Sequence, residues 1–112
     1  MPAYYHIAFT PLPGVIDPQA VENAIAAMCF DWLRYAGNCY VVWTNSDASM
    51  LAGALMTVSG MKQSHFLVVS IDLIGGDGFA FMPPWAMEWL KKDRSSNPLL
   101  PLYLSGILPP PR

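Results

Sequence analysis

Charge is what this sequence has least of. Asp, Glu, Lys and Arg make up 12% of its 112 residues, about half of the ~25% usual in soluble domains. Hydrophobic residues make up 54%. One chain this small leaves much of that apolar surface in water, so a second copy of the chain or a protein partner is expected to cover part of it. Basic residues are scarce as well: of six, four (Lys91, Lys92, Arg94, Arg112) fall in the last quarter. Nucleic-acid binders carry a basic stripe that neutralises phosphates, and no stripe is present here, which disfavours nucleic acid as the partner. Cysteine occurs twice, at Cys29 and Cys39, in neither a CxxC pair nor a Cys/His cluster. Free, buried thiols in a reducing compartment are expected. No apolar run is long enough to span a bilayer, and prolines break the uncharged tail, so no membrane association is expected. No basic region precedes an apolar run near Met1, which makes the cytoplasm the expected location. Phosphate-binding patterns are missing: Gly75-Gly76-Asp77-Gly78 matches neither GxxxxGK[ST] nor a helix-opening GxGxxG and reads as a turn. No serine lies in a GxSxG elbow. No cofactor is expected.

What is present is organised around Trp32 to Ile71. Two runs rich in Trp, Leu, Tyr and Val flank Gly37-Asn38, which predicts a β-hairpin; Gly at the first central position suits a type II′ turn. In the second arm Tyr40, Val42 and Thr44 share one face and Val41 and Trp43 the other. Both faces are apolar, which predicts a central strand. Asn45-Ser46-Asp47 supplies capping oxygens for a helix in which Leu51, Leu55 and Val58 recur at helical spacing, with Gly60 as its stop. Phe66 to Ile71 is short, apolar and bounded by polar residues, and reads as a buried strand.

Before the hairpin, Tyr4 to Phe9 reads as the first strand, closed by Pro11, Pro13 and Gly14. Asp17-Pro18 opens a helix with a capping carboxylate followed by proline at its first position. Val21, Ala24, Ile25, Met28, Cys29 and Trp32 form its apolar stripe, and the helix is expected to end near Phe30. After the hairpin and its helix, Pro83-Pro84 leads into a short helix, Trp85 to Lys92. Trp85 and Trp89 are expected to stack one turn apart, with Lys91, Lys92 and Arg94 at the C-terminal end, where the helix dipole favours cations. Five of the eleven prolines lie in residues 98–112; the LYLSGIL segment there reads as an edge strand or a packing segment. The order strand, helix, strand, strand, helix, strand is the split βαβ pattern. The expected fold is therefore an α+β, ferredoxin-like βαββαβ sandwich. It has a four-stranded antiparallel sheet, both long helices on one face, an extra C-terminal helix and a Pro-rich tail. Residues 1–97 form the domain and 98–112 the tail.

With Trp32…Tyr35, Tyr40-Val41-Val42-Trp43-Thr44, the capped helix, Phe66-Leu67-Val68-Val69 and the late Pro83 to Leu90 segment, the chain resembles the SinR-like and Cas2-like group of small ferredoxin-fold proteins over roughly residues 4 to 91. The resemblance implies this fold and dimerisation through the open sheet. Cas2-like nucleases carry a metal-binding Asp at the end of the first strand; here Thr10 stands in that place. A neutral hydroxyl is a poor anchor for Mg²⁺, which favours carboxylate oxygens.

The titratable residues give few candidates. His6 lies mid-strand and Asp72 ends another strand, so topology alone makes them a possible catalytic pair. A half-buried sheet histidine with one hydrogen bond is the plainer expectation. His65 reads as a surface residue. No two carboxylates stand at metal-ligand spacing with a histidine, so no metal site is expected. Asp17 and Asp47 are assigned to helix caps. The four tryptophans are more simply packing residues than a base-stacking platform, because basic residues are not interleaved with them. The expectation is a homodimeric binding or interaction module. A metal-dependent endonuclease acting on RNA or DNA through His6 and Asp72 is one alternative, and a sensor that binds a small molecule between subunits is the other.

Overall fold

The computed structural model describes residues 2–73, 78, 80–92 and 94. Strand β1 (Ala3–Phe9) leads through a loop to helix α1 (Pro18–Met28), then to the hairpin β2 (Asp31–Ala36) and β3 (Cys39–Thr44). Helix α2 (Ala48–Met56), a single 3₁₀ turn (Met61–Gln63), strand β4 (Phe66–Ile71) and helix α3 (Pro84–Lys91) follow. The four strands form one sheet in the order β2-β3-β1-β4, and every neighbouring pair is antiparallel. This α+β arrangement is compatible with a ferredoxin-like fold. No described helix is long and apolar enough to cross a membrane. The Pro-rich tail expected at residues 98–112 lies outside the described residues.

Local chemistry sets the elements. Both expected caps are in place: Asp17 Oδ1 accepts from Gln19 N at 3.0 Å and Asp47 Oδ1 accepts from Met50 N at 2.8 Å. Each satisfies a first-turn N–H that has no partner within its helix. At the other end of α1, the Thr44 hydroxyl donates to the Met28 carbonyl at 2.7 Å, so the buried end of the helix is tied to β3. Two expectations about glycines fail. Among the described residues only Gly14 and Gly60 have positive φ. Gly37 is therefore not the left-handed residue that a type II′ turn requires. The hairpin instead takes a register shift between Arg34 and Ala36, and the Arg34 guanidinium donates to the Gly37 carbonyl at 3.0 Å. Gly60 does not stop α2, which ends at Met56 with Thr57 as its cap. Its φ of 84° opens the 3₁₀ turn, and a Cβ there would lie 2.5 Å from the Val15 carbonyl oxygen. Both the conformation and the close approach require glycine.

Strand alternation sorts side chains onto two faces. Ile7 and Phe9 of β1, Tyr40 and Val42 of β3, and the Val21, Ile25, Leu51 and Leu55 stripes of α1 and α2 make the main core. Burying each of these large side chains contributes roughly 1.5–3 kcal/mol. On the opposite face Tyr4, Leu33, Val41 and Trp43 pack with Ala86 of α3 in a second, smaller core. That core is closed by an ion pair at its edge. Arg94 Nη2 donates to Asp31 Oδ2 at 2.7 Å and its Nε does so at 3.2 Å. The two side chains are 4% and 1% exposed, so neither charge is left to water. Arg94 Nη1 also donates to the Tyr4 hydroxyl at 3.1 Å and to the Trp89 carbonyl at 3.0 Å, and the guanidinium lies 3.9 Å from the Trp89 ring centroid. The cation thus binds the last turn of α3 to the first residue of β2. Trp85 and Trp89 do not share an environment. Trp89 packs edge-on to Tyr4 at 6.3 Å, whereas Trp85 is 60% exposed.

Truncating one partner of such a pair strands the other charge in the interior. Asp31→Ala is expected to cost about 3–5 kcal/mol in urea unfolding, and the double variant with Arg94→Ala less than the sum of the two single losses. Additive losses of under about 1 kcal/mol each would contradict the coupling.

Candidate functional site

α3 covers only part of the second face of the sheet. It lies over Tyr4, Leu33, Val41 and Trp43. Beyond it, on the same face, stand His6 and Ala8 of β1, Tyr35 of β2, Cys39 of β3, and Leu67 and Val69 of β4. The face therefore has three parts: a covered core, a cleft along the flank of α3, and an open apolar area on β4.

The cleft encloses about 320 Å³. Its floor crosses the sheet from Tyr35 on β2, through Val41 on β3 and His6 on β1, to Asp72 and Leu73 just after β4. Met87, Leu90 and Lys91 of α3 form the opposite wall, and Met82 and Ala80 also line the cleft. The polar feature of the floor is a hydrogen bond between His6 Nε2 and the Tyr35 hydroxyl, with the ring centroids 5.6 Å apart. The Cys39 thiol is hydrogen-bonded to the same hydroxyl and also donates to Asn38 Oδ1 at 3.7 Å. Burial pulls the His6 imidazole below its ordinary value, so it is neutral at neutral pH. Burial first, then the Cys39 hydrogen bond and the negative charge of its thiolate, push the Tyr35 phenol up to about 12, even though the residue as a whole is 38% exposed. The floor therefore carries one hydrogen-bonded pair, His6 and Tyr35, among apolar side chains, and Lys91 and Asp72 are the charged residues of the lining.

The structure brings His6 and Asp72, the two residues that sequence reasoning paired, to the lining of this one cleft. The hydrogen-bond partner of His6 is Tyr35, which sequence reasoning did not connect with it. The hairpin register held the signal, since Tyr35 lies two positions beyond Leu33 and so on the same face. His65 is exposed, as expected. Thr10 follows directly on β1: its N–H donates to the His65 carbonyl at 2.8 Å and its carbonyl accepts from the Ser64 hydroxyl at 2.7 Å. Among the described residues no three His, Cys, Asp or Glu side chains are grouped so as to hold a metal ion. Both cysteines are free thiols. Cys29 is buried, and burial pushes it up to about 12. Cys39, expected to be buried, is only half-buried.

One expectation about burial is overturned. Phe66–Ile71 is not a buried strand: β4 stands at the edge of the sheet, and Leu67 and Val69 are 56% and 42% exposed. A uniformly apolar run suits an interior strand, but the chain order places this one at the edge, with only Phe66 and Val68 turned toward the main core.

The depressed His6 value carries a pH dependence. The unfolded chain takes up its proton at the ordinary value of about 6.5, before the folded protein does. The stabilisation is therefore full above that pH and is lost as pH falls through and below it. Unfolding in urea at about pH 7.5 and about pH 5.5 should show a larger loss for the native chain than for His6→Gln; equal losses would contradict a neutral buried imidazole.

Compared with protein-family models, curated proteins and solved structures, the chain matches none.

Proposed function

We propose that this protein is a ferredoxin-like βαββαβ binding module that works as a homodimer, with β4 of one copy paired to β4 of the other. One observation carries the reading: β4 is an edge strand with none of the features that protect edges. From Phe66 to Ile71 it has no charge and no proline, although lysine, proline and bulges are the usual means of blocking strand addition. The other edge strand, β2, is protected. It carries Arg34 and a register irregularity.

The backbone geometry suits a two-fold pairing. Thr10 N–H donates to the His65 carbonyl, which makes these residues a hydrogen-bonded antiparallel pair in register with Ala8↔Leu67 and Tyr4↔Ile71. Alternate residues of an antiparallel strand address opposite neighbours. Leu67, Val69 and Ile71 therefore bond to β1, while Phe66, Val68 and Ser70 direct their N–H and C=O groups outward. The β1–β3 ladder agrees, because Phe9 N–H donates to the Asn38 carbonyl on the other side of β1. An axis through Val68 pairs Val68 with its own copy and Phe66 with Ser70 of the partner subunit, so all of these outward groups meet. It also sets Leu67 beside Val69 of the partner subunit on the exposed face, which removes both from water with no like charges opposed. The low charge of the whole chain is in keeping with such a covered surface.

Sedimentation equilibrium over the micromolar range tests this. The native chain should sediment as a dimer. Leu67→Lys and Val69→Lys should each raise the dimer Kd roughly tenfold or more, since each acts twice across the axis, and should leave the circular dichroism of the fold unchanged. A native chain that stays monomeric throughout overturns the proposal.

A further inference from the structure

Helix α2 carries no charged residue from Ala48 to Met56. A helix that is apolar on every side is normally buried on every side. Here only Leu51 and Leu55 are buried, and Met50 and Met56 are 54% and 39% exposed. The helix packs against β4 and beside α1, so its uncharged surface adjoins the edge through which the proposed dimer forms.

The topology identifies the flank of α2 that lies over that edge. α1 crosses from β1 to β2 and α2 from β3 to β4, in each case between parallel strands with one strand between them. Such crossovers share one hand, so the two helices present matching flanks to the two edges of the sheet. In α1, Glu22 directly follows the buried Val21 and reaches edge strand β2, its Oε1 lying 3.9 Å from Arg34 Nη1. In α2, Ala52 directly follows the buried Leu51 and holds the matching place over β4. Ser49 and Met56, three positions before it and four after, share its flank. The β2 edge is thus charged on helix and strand alike, whereas the β4 edge is charged on neither.

We infer that the Ser49, Ala52 and Met56 flank of α2 packs against the same flank of α2 in a second copy of the chain. The inference rests on the β4 pairing and gives that interface a second layer. A two-fold axis through Val68, normal to the sheet, keeps both helices on one face. Two helices cover the four strands of each copy, and strands stand ~4.8 Å apart, so the two α2 helices come to lie about 10 Å from each other, the spacing of packed helices. Ser49 and Ala52 are small enough for that approach, and the flexible Met56 fills what remains. The area buried calls for this layer as well. Pairing along six residues covers a strip roughly 20 Å long, which alone falls short of the ~1,200 Å² or more that stable interfaces bury.

Sedimentation equilibrium of the full chain with Ala52→Glu or Ala52→Lys tests the contact, because the axis brings each new charge near its own copy. Either variant alone should raise the dimer Kd roughly tenfold or more, and their equimolar mixture, in which the introduced charges are opposite, should recover most of the native affinity. Glu22→Gln, on the matching flank of α1, should leave the Kd unchanged. In the native chain the amide chemical shifts of Ser49, Ala52 and Met56 should change on dilution together with that of Val68. A native dimer that both Ala52 variants leave as tight overturns the inference while the β4 pairing stands. So does weakening that the mixture does not relieve, or a dilution shift at Val68 with none on α2. A native chain that stays monomeric overturns the β4 pairing and this inference together.

Discussion

The ion pair between Asp31 and Arg94 decides what the second face of the sheet looks like. A sheet whose first face is covered by two helices has a second face that must be covered, charged or shared. Here the ion pair, with Tyr4 and Trp89 around the guanidinium, holds a short helix over one part of that face and leaves another part open. An eight-residue helix opened by proline is marginal alone, so its position depends on Ala86, Trp89 and this anchor. The cleft exists because α3 stops short of His6 and Tyr35. The apolar area on β4 is open because α3 does not reach it.

The two halves of the functional reading follow from that division. Edge strands are stable in solution when something blocks further pairing, and β4 has no block of its own. Its exposed Leu67 and Val69 lie on the same face as the cleft, two strands away from Val41. A dimer built through β4 would extend one sheet across both copies and set their clefts on the same side of it. The cleft and the β4 edge then occupy separate parts of one continuous face.

Much of the fold was legible because it rests on local chemistry. The capping roles of Asp17 and Asp47 follow from their positions ahead of apolar periodicity, and the alternation in Tyr40 to Thr44 gave both faces of a central strand. What was not legible depends on chain distance or topology. Asp31 and Arg94 lie 63 positions apart, and nothing near either residue marks it as half of a buried pair. The sequence of β4 is as apolar as that of an interior strand, and only the strand order puts it at the edge. Gly60 carried a glycine signal, but its cause, the Val15 carbonyl, is 45 positions earlier in the chain. At the cleft, His6 and Asp72 were paired by topology, while Tyr35 needed the hairpin register to be read together with β1.

The central claim is that the outward-facing backbone of β4 is paired with a second copy. Amide hydrogen exchange at Val68 tests it most directly, because that N–H points away from β1 and has no partner strand among the described residues. In a dimer, Val68, Phe66 and Ser70 should be protected at high protein concentration and lose protection on dilution, while Leu67 and Val69, bonded to β1, stay protected throughout. Fast exchange at Val68 at every concentration would contradict the account.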